Sequence, residues 1–378
     1  MRPLIPRSAY FEDEAFRMER QSLFGRLWQF AGFATDLAAP NDFITTEVAG
    51  RAVLVQNFDG ELRGFANVCS HRFSRLRCEA KGNGKLRCGY HGWIYNAEGI
   101  PYSIPSRPRF DALKDRAEVA RLALRRYDLD VCGGLVFVRE GAEGEGDSSV
   151  PGESLREFLG ASFAPLEQMS LALGTPVSRL DVLLRCNWKV AVENGLEAYH
   201  VGFVHEETFK PLEMSGMDFR FDGLHSSWHA PVEASTASRL GRLVKASRMP
   251  HPVPGYVHQL IFPNVTVSTL CGATFGFQVL RPVSPVETQL TSIVFLSRMK
   301  ADAGVQEMVH SALTESTAVF TEKVTHEDRV VCEAVQLGLR DATQPGILSE
   351  EEERVHRFHA AYMEQMSTSA ASHPLTHA

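Results

Sequence analysis

The sequence predicts an α+β protein with an antiparallel β domain followed by a mixed domain. Its 378 residues are enough to form two separate cores. Short β-rich runs divided by turn dipeptides dominate the first part, and two stretches with helical periodicity end the chain, Val305–Leu339 and Glu350–Met366. Residues 141–149 are glycine-rich and acidic and lack an apolar anchor, which is typical of a linker.

Composition and charge narrow the classes of function. Hydrophobic residues make up 44% and charged residues 22% of the chain, as in ordinary globular proteins. The formal net charge of −7 argues against binding that neutralises nucleic-acid phosphates. No run approaches the ~18 apolar residues of a membrane span, and the N-terminus has no apolar signal core. We therefore expect a cytoplasmic protein with no nucleic-acid or membrane partner.

The first 140 residues are predicted to form one helix and then a small sheet. Apolar positions among charges between Phe11 and Trp28 predict an amphipathic helix. Asp59-Gly60 is a strong hairpin dipeptide between two β-rich runs. The predicted strands are Phe43–Val48, Ala52–Gln56, Leu62–Phe65 and Gly133–Val138. An N-terminal helical segment over residues 1–39 and an antiparallel β domain over residues 40–140 follow from this pattern.

The second domain is predicted at residues 150–366, with a loose tail over residues 367–378. Trp188–Tyr199 has helical periodicity. The predicted strands are Val177–Leu184, Val257–Phe262, Val265–Leu270, Thr274–Leu280 and Gln289–Leu296. The residues alone support an α+β domain without specifying its topology.

Two short loops carry paired cysteine and histidine residues. Cys69 and His71 form C-x-H, and Cys88 and His91 form C-x-x-H after sixteen intervening residues. Four such ligands fit either a Cys₂His₂ zinc site or a Rieske [2Fe–2S] cluster, in which two cysteines hold one iron and two histidines the other. Zinc sets usually pair cysteine with cysteine in one loop, whereas each loop here offers one of each, which favours the cluster.

A second group of polar side chains lies near residue 200. Glu193, Glu197 and His200 have the i, i+4, i+7 spacing of one helix face. On a regular helix His205 would point about 140° away from His200. Both histidines can therefore bind one ion only if the helix breaks between them, which Gly202 would allow. On this stretch alone, two unrelated histidines near a helix end are an equally good interpretation.

Asp328 offers a third ligand from the long C-terminal helical pattern. Val324 and Cys332 lie four residues before and after it, so its carboxylate falls on the apolar stripe, where an unpaired charge is unfavourable. A metal at that depth would explain the placement. With the two histidines, Asp328 would complete the 2-His-1-carboxylate set of non-haem Fe(II) oxygenases. Glu327 and His326 point elsewhere on the helix and are interpreted as ordinary surface charges.

The segments NVCSHR and CGYHGWIY resemble the Rieske domain of the alpha subunits of ring-hydroxylating and related Rieske non-haem iron oxygenases. Respiratory-type Rieske proteins join two extra cysteines in these loops, but Ser74 and Tyr90 stand at those positions here. The pattern E-N-x-x-E-x-Y-H-x-x-x-x-H resembles the family's mononuclear iron motif. The resemblance implies cluster binding by Cys69, His71, Cys88 and His91, and iron binding by His200, His205 and Asp328.

The resemblance also implies an architecture and an electron path. The catalytic domain is expected to be a helix-grip (START-like) fold, an antiparallel sheet wrapped around a long helix, with residues 1–39 packed on it. In the family the cluster of one subunit serves the iron of its neighbour in a homotrimer, and Glu197 matches the acidic residue that bridges the two centres. Asn194 and Tyr199 match positions that orient the ligands, although ordinary packing explains them equally well.

The predicted function is that of a terminal oxygenase that mono-oxygenates a small organic substrate by hydroxylation or N- or O-dealkylation. Many ring-dihydroxylating members have Asp at the Glu197 position, whereas Glu resembles members acting on choline, glycine betaine or carnitine. Alternatives are an aromatic ring-hydroxylating dioxygenase and a Rieske electron carrier with a non-catalytic second domain. Candidates for an aromatic cage around a quaternary amine are Phe203, Phe209, Trp228, Phe275 and Phe277.

Electrons must come from outside the chain. The sequence has no second cysteine-rich cluster motif and no G-x-G-x-x-G fingerprint after a strand. A separate flavin or iron–sulfur reductase that oxidises NAD(P)H, with or without a ferredoxin, is therefore the expected partner.

Overall fold

The computed structural model describes residues 1–141 and 153–372, with side chains through residue 367. The chain folds into two units: residues 24–158 form one, and residues 1–23 together with the chain from residue 159 onward form the other. The linker predicted at residues 141–149 lies, apart from Gly141, outside the described residues. None of the helices in the described part of the chain is long and apolar enough to cross a membrane.

The strands are β1 (Gln29–Phe33), β2 (Asp42–Val48), β3 (Arg51–Phe58), β4 (Glu61–Ala66), β5 (Lys81–Asn83), β6 (Ile94–Tyr95), β7 (Pro101–Ser103), β8 (Arg126–Cys132), β9 (Leu135–Glu140), β10 (Leu173–Leu184), β11 (Asp218–Asp222), β12 (His225–Ala230), β13 (Tyr256–Ile261), β14 (Val265–Leu270), β15 (Thr274–Ser284) and β16 (Glu287–Ser297). The α-helices are α1 (Asp13–Glu19), α2 (Arg116–Arg121), α3 (Leu155–Leu159), α4 (Phe163–Leu171), α5 (Trp188–Leu196), α6 (Val201–Val204), α7 (Ala234–Ala246), α8 (Ala303–Asp341) and α9 (Glu353–Ser372).

The smaller unit is built on a seven-stranded antiparallel sheet in the order β1-β9-β8-β4-β3-β2-β5. Alternation along β3 gives the sheet two covered faces, because Val53 and Val55 pack into one apolar cluster and Leu54 into another. Cys69 and Cys88 belong to the cluster on the Leu54 face. The sheet therefore supports the loops that carry the paired cysteines and histidines.

The start of this unit differs from the sequence prediction. The helix predicted between Phe11 and Trp28 ends early, since α1 passes into a π-helical turn at Arg20–Phe24. Strand β1 follows and pairs with β9, Gln29 opposite Val138. The β unit thus begins at residue 24 rather than at the predicted residue 40, because the backbone of β1 completes the edge of the sheet.

The larger unit contains a second seven-stranded antiparallel sheet, ordered β10-β16-β15-β14-β13-β12-β11. Helix α8 runs unbroken for 39 residues and contacts β10, β16 and α5. Residues 1–23 join this unit through a buried ion pair, in which the Lys189 ammonium contacts Glu19 and also donates to the Ala9 carbonyl at 2.9 Å. This mixed arrangement of long helix and antiparallel sheet agrees with the predicted fold class.

Other differences concern helix ends and one helix that was not predicted. The helix predicted at Trp188–Tyr199 stops at Leu196, and α7 was not predicted. Helix α9 continues to Ser372, so the first residues of the predicted loose tail are helical, and residues 373–378 lie outside the described chain. Helix α7 is amphipathic, and its Leu240, Leu243 and Val244 pack into one apolar cluster, so its periodicity was a signal that the sequence prediction missed.

Candidate metal centres and substrate cavity

The two cysteine–histidine loops of the smaller unit have matching backbone turns. The Phe73 amide donates to the Cys69 carbonyl at 3.0 Å, and the Gly92 amide donates to the Cys88 carbonyl at 3.0 Å. Both thiols are buried and neither forms a disulfide. Burial raises the pKa of the Cys69 thiol, so the thiolate form needs a positive partner such as a metal.

The two histidines of these loops lie beside each other. The rings of His71 and His91 have centroids 4.6 Å apart, and Trp93 stacks on His71 at 4.6 Å with 5° between the planes. The Nδ1 atom of His71 is buried and has no hydrogen-bond partner among the described residues. A buried nitrogen without a partner is unfavourable unless it binds something else, so these four side chains fit the predicted cluster.

Tyr95 contacts this site and was not singled out from the sequence. Its hydroxyl lies 3.0 Å from the Cys69 sulfur and 3.1 Å from the Ser70 hydroxyl, and it accepts from the Ser70 amide at 3.2 Å. Hydrogen bonds to a ligand sulfur shift the reduction potential of an iron–sulfur cluster. The C-G-x-H-G-W-x-Y context placed Tyr95 next to Trp93 in the sequence, but only the fold brings its hydroxyl to Cys69.

In the larger unit, His200 and His205 flank one short helix, and the centroids of their rings are 5.1 Å apart. The Asn187 side chain caps the start of α5 by accepting from the Lys189 amide at 3.0 Å. The helix ends before Glu197, whose backbone is extended at φ −126° and ψ 162°. His200 then precedes the short helix α6 and His205 follows it. The prediction of a break at Gly202 between the two histidines is wrong, because the helix breaks before His200 and a helical turn, α6, separates His200 from His205.

This break also separates the acidic residues that were predicted to share one face. Glu193 remains on α5 and accepts from the Tyr10 hydroxyl at 2.5 Å, with His359 Nε2 at 3.0 Å. Glu197 instead contacts His200, because its carboxylate accepts from the His200 amide at 3.1 Å and also meets the His200 Nδ1 atom. The one-face prediction is wrong because the helix does not extend beyond Leu196.

Asp328 on α8 lies next to both histidines. Its Oδ1 atom is 3.1 Å from His205 Nε2 and 3.7 Å from His200 Nε2. One donor atom from each of the three residues lies within 4.8 Å of the others. Asn194 donates to the same Oδ1 atom at 2.8 Å and so holds the carboxylate in place. Two imidazoles and one carboxylate are the donor set of a non-haem Fe(II) site, and their proximity fits such an ion.

The interpretation of Glu327 as an ordinary surface charge is wrong, because its carboxylate contacts His205 and Thr208. Its Oε2 atom lies 2.7 Å from His205 Nδ1 and accepts from the Thr208 hydroxyl at 2.9 Å. Burial opposes protonation of His205, but the hydrogen bonds and charges of Asp328 and Glu327 outweigh it and raise the pKa of the imidazole. A metal ion would replace that proton at Nε2, while Glu327 fixes the ring through Nδ1.

Tyr199 does not reach this site. Its side chain is 56% exposed, and its ring packs edge-on against Phe203 at 6.3 Å. Neither residue lines the cavity described below. Asn194 thus contacts a candidate ligand, whereas the side chain of Tyr199 lies on the surface.

A cavity of about 430 Å³ opens beside His200, His205 and Asp328. Its aromatic lining comes from Phe209, Trp228, Tyr256 and Phe320. Of the proposed cage residues, Phe275 and Phe277 are buried elsewhere, since they alternate along β15 with Gly276, which faces the cavity. The aromatic wall therefore includes two of the proposed residues and two that the sequence did not indicate.

Part of the cavity floor is a row of residues that crosses five strands. They pair in register as Trp228, His258, Ser268, Gly276 and Val294. A Cβ atom on Gly276 would lie 2.6 Å from the Ser268 hydroxyl oxygen, so this position depends on the absence of a side chain. Tyr256 hydrogen-bonds Ser268, and burial raises the pKa of Tyr256 to about 12. The floor thus offers neutral hydrogen-bonding groups beside the aromatic wall.

Comparisons with known proteins match both units. The family model "Rieske [2Fe-2S] domain" matches residues 27–122, and the model "Ring hydroxylating alpha subunit (catalytic domain)" matches residues 167–368.

Two relatives and one solved structure illustrate the similarity. Choline monooxygenase, chloroplastic, of Arabidopsis thaliana is 26% identical over 371 residues, which cover 94% of this chain and 81% of that protein. The anthranilate 1,2-dioxygenase large subunit of Acinetobacter baylyi is 30% identical over 214 residues, 53% of this chain and 42% of that protein. The quaternary ammonium Rieske monooxygenase CntA in complex with substrate L-carnitine matches with TM-score 0.74 and 18% identity over 97% of this chain and 95% of that chain, which shows the fold alone.

Proposed function

Since the chain belongs to the family of ring hydroxylating alpha subunits and carries a Rieske [2Fe-2S] domain, we propose that this terminal oxygenase mono-oxygenates a small organic ammonium compound. The catalytic-domain match sets aside the electron-carrier alternative, and the Rieske match sets aside the zinc site. The observation that carries the proposal is the cavity of about 430 Å³, which has the three candidate iron ligands on its wall and aromatic rings around it.

We assign the cluster to Cys69, His71, Cys88 and His91, and the mononuclear iron to His200, His205 and Asp328. When bound, the two centres supply the redox chemistry, the reduction of O₂ with electrons from a separate reductase. The protein groups hold the donor atoms ready for this. Glu327 accepts at His205 Nδ1 and Glu197 meets His200 Nδ1, so that both Nε2 atoms remain available on the Asp328 side.

The aromatic wall supports an ammonium substrate. Phe209 lies edge-on to His205 at 5.4 Å, and Tyr256 is 6.3 Å from Phe209 and 5.8 Å from Trp228. A quaternary ammonium group has no N–H donor and is bound mainly through the faces of such rings. Oxygenation of an N-methyl group gives a carbinolamine that releases formaldehyde, with the second oxygen atom leaving as water. The choline monooxygenase relative supports this substrate class.

Aromatic ring dioxygenation is the second candidate. The anthranilate 1,2-dioxygenase relative favours it, and an apolar ring would contact the same side chains. The two candidates differ in the fate of oxygen, because a dioxygenase incorporates both atoms of O₂ into one product.

A single-turnover experiment separates the two candidates. The reduced, Fe(II)-loaded protein would be exposed to ¹⁸O₂ with one panel of N-methylated amines and betaines and another of aromatic acids and phenyl ethers. Formaldehyde from an amine supports the proposal, and a ring diol with two ¹⁸O atoms refutes it. Asp328→Ala should abolish turnover, whereas His326→Ala, at the exposed neighbouring position, should retain it.

We further propose a homotrimer in which Glu197 connects the iron site to the cluster of a neighbouring subunit. Support comes from the match of Glu197 to the family's bridging position and from its contact with His200. Refolded mixtures of Cys69→Ser and Asp328→Ala chains test this, because each variant lacks one centre. Activity restored in the mixture is expected, and no restoration despite confirmed mixed assembly would contradict the proposed path. A cytoplasmic location fits a reductase that draws on NAD(P)H.

A further inference from the structure

Arg354 on α9 is a buried charge without a counter-ion. Its side chain is 0% exposed, and no carboxylate forms a salt bridge with it in the described part of the chain. Burial lowers the pKa of Arg354 to about 9, so the guanidinium is still protonated at neutral pH. An isolated buried cation is strongly unfavourable unless its surroundings provide acceptors or a negative charge.

The acceptors that Arg354 does have are mostly neutral groups of the sheet. Its Nε atom donates to the Ser226 hydroxyl at 3.2 Å, and both terminal nitrogens lie 3.2 Å from His258 Nδ1. A guanidinium can only donate, so His258 Nδ1 must be an acceptor and carry no proton. The proton of the neutral His258 ring is therefore on Nε2, and this tautomer is fixed by Arg354.

The Nε2 atom of His258 faces the cavity. His258 lies in the floor row between Trp228 and Ser268, and a Cβ atom built on the cavity residue Gly195 would be 3.8 Å from Nε2. No acceptor of the described residues contacts Nε2, although His258 is only 8% exposed. Burial and the charge of Arg354 lower the pKa of His258 well below its usual value, so the ring remains neutral. His258 Nε2–H is therefore a hydrogen-bond donor that has no acceptor among the described residues and has the Arg354 charge on the other side of its ring.

The charges around the cavity favour an anionic acceptor. The carboxylates that line the cavity, among the described residues, are Glu197 and Asp328, and both contact the candidate iron ligands. Arg239 also lines the cavity, but it is exposed, and water already solvates its charge. The buried Arg354 charge behind His258 is therefore the one whose free energy a bound anion would lower most.

We propose that His258, held by Arg354, donates its Nε2–H to a carboxylate of the substrate, so that the cavity selects ammonium compounds that also carry an acid group. The claim that the substrate carries an ammonium group rests on the proposed function. The claim that it also carries a carboxylate rests on Arg354 and His258 alone. Arg354 is a positioning residue, since it acts through His258.

Four ligands of nearly equal shape test ammonium recognition and carboxylate recognition separately. Glycine betaine has both charges, choline has only the ammonium, 3,3-dimethylbutanoate has only the carboxylate, and 3,3-dimethylbutan-1-ol has neither. Binding to the oxidised holoenzyme would be measured by isothermal titration calorimetry, without turnover. We expect the acid of each pair to bind about 10- to 100-fold more tightly than the alcohol, in line with hydrogen bonds to charged groups.

Two substitutions of His258 test the assigned atom. His258→Asn keeps an acceptor for Arg354 but removes the Nε2 donor, and we expect the acid preference to be lost while the preference for ammonium over carbon is retained. His258→Gln places an amide donor near the Nε2 position and should preserve much of the preference. His229→Asn is the matched control on β12, where His229 bonds Ser227 and does not line the cavity.

The outcomes show whether the inference about His258 fails or the proposed function fails. Equal binding of acids and alcohols, or an acid preference that survives in His258→Asn, overturns the inference. The same holds if Arg239→Gln removes the preference instead. A carboxylate preference with no ammonium preference would contradict the proposed function and leave the role of His258 intact. Arg354→Lys, which keeps a buried charge, should weaken the acid preference by disturbing His258 without abolishing the ammonium preference.

Discussion

Glu327 offers the sharpest test of the candidate iron site, because its role is visible only in the fold. Its carboxylate accepts from His205 Nδ1 at 2.7 Å and from the Thr208 hydroxyl at 2.9 Å. Glu327→Ala removes the group that fixes the tautomer and the orientation of the His205 ring. His205 would remain close to Asp328, but its Nε2 lone pair would no longer be held toward the ion.

The expected loss of Fe(II) affinity can be judged from other groups that hydrogen-bond a metal ligand without binding the metal. Their loss typically reduces metal affinity 10- to 100-fold, which corresponds to about 1.4–2.8 kcal/mol of binding free energy. Glu327→Gln should fall between the wild type and Glu327→Ala. It keeps an oxygen acceptor for His205 but loses the negative charge that increases the basicity of the imidazole.

Anaerobic titration of the iron-depleted protein with Fe(II), against a chelator of known affinity, measures this effect. Absorbance of the Rieske cluster should be unchanged in each variant, which shows that the smaller unit is intact. Glu322→Ala on the same helix is the matched control, since Glu322 is exposed. If Glu327→Ala and Glu322→Ala bind Fe(II) equally well, the role assigned to Glu327 is wrong.

The structure also predicts the direction of the effect in three other experiments, on stability, on substrate selection and on pH dependence. Glu19→Gln leaves the fully buried Lys189 ammonium unpaired, and urea unfolding should show a loss of about 3–5 kcal/mol. Gly276→Val adds a side chain whose Cβ would lie 2.6 Å from the Ser268 hydroxyl oxygen, so KM should rise more for bulky substrates than for small ones. The hydrogen bond from Ser235 is the main reason that the pKa of the α7 cap Glu233 is lowered from 4.5 to about 2. Because the folded-state pKa is the lower one, this stabilisation is present above pH 4.5 and is lost toward pH 2, and the protection of α7 amides from exchange, relative to an unstructured peptide at the same pH, should decrease over that range.

Each of these has a control. Glu14→Gln, in an exposed pair with Arg17, should leave unfolding nearly unchanged, and a similar loss from both variants would contradict the buried-pair argument. Gly338→Val, at a helix position with nothing near an added Cβ, should not alter substrate selection. Glu233→Gln should remove the pH dependence of α7 protection, and persistence of that dependence would assign it to another group.

The sequence by itself determined the parts of this protein that depend on local spacing. C-x-H and C-x-x-H place one cysteine and one histidine in each of two loops, and the chain needs only two tight turns to present them. Helical periodicity put Asp328 on the inner side of α8, because 3.6 residues per turn relates it directly to Val324 and Cys332. The strands from Val257 to Leu296 followed from β-rich runs and alternation.

Tertiary structure decided which side chains meet across long distances in the chain. Helical geometry correctly separates Glu327 from Asp328, yet His205 enters from a loop and contacts both, which no periodicity could indicate. Alternation on β15 shows that Phe277 and Gly276 face opposite ways, but only the packing of the sheet decides which side becomes the cavity. The pairing of Arg354 with His258 joins a helix to a strand 96 residues earlier, because α9 packs on α5 and its Arg354 reaches β13 from there.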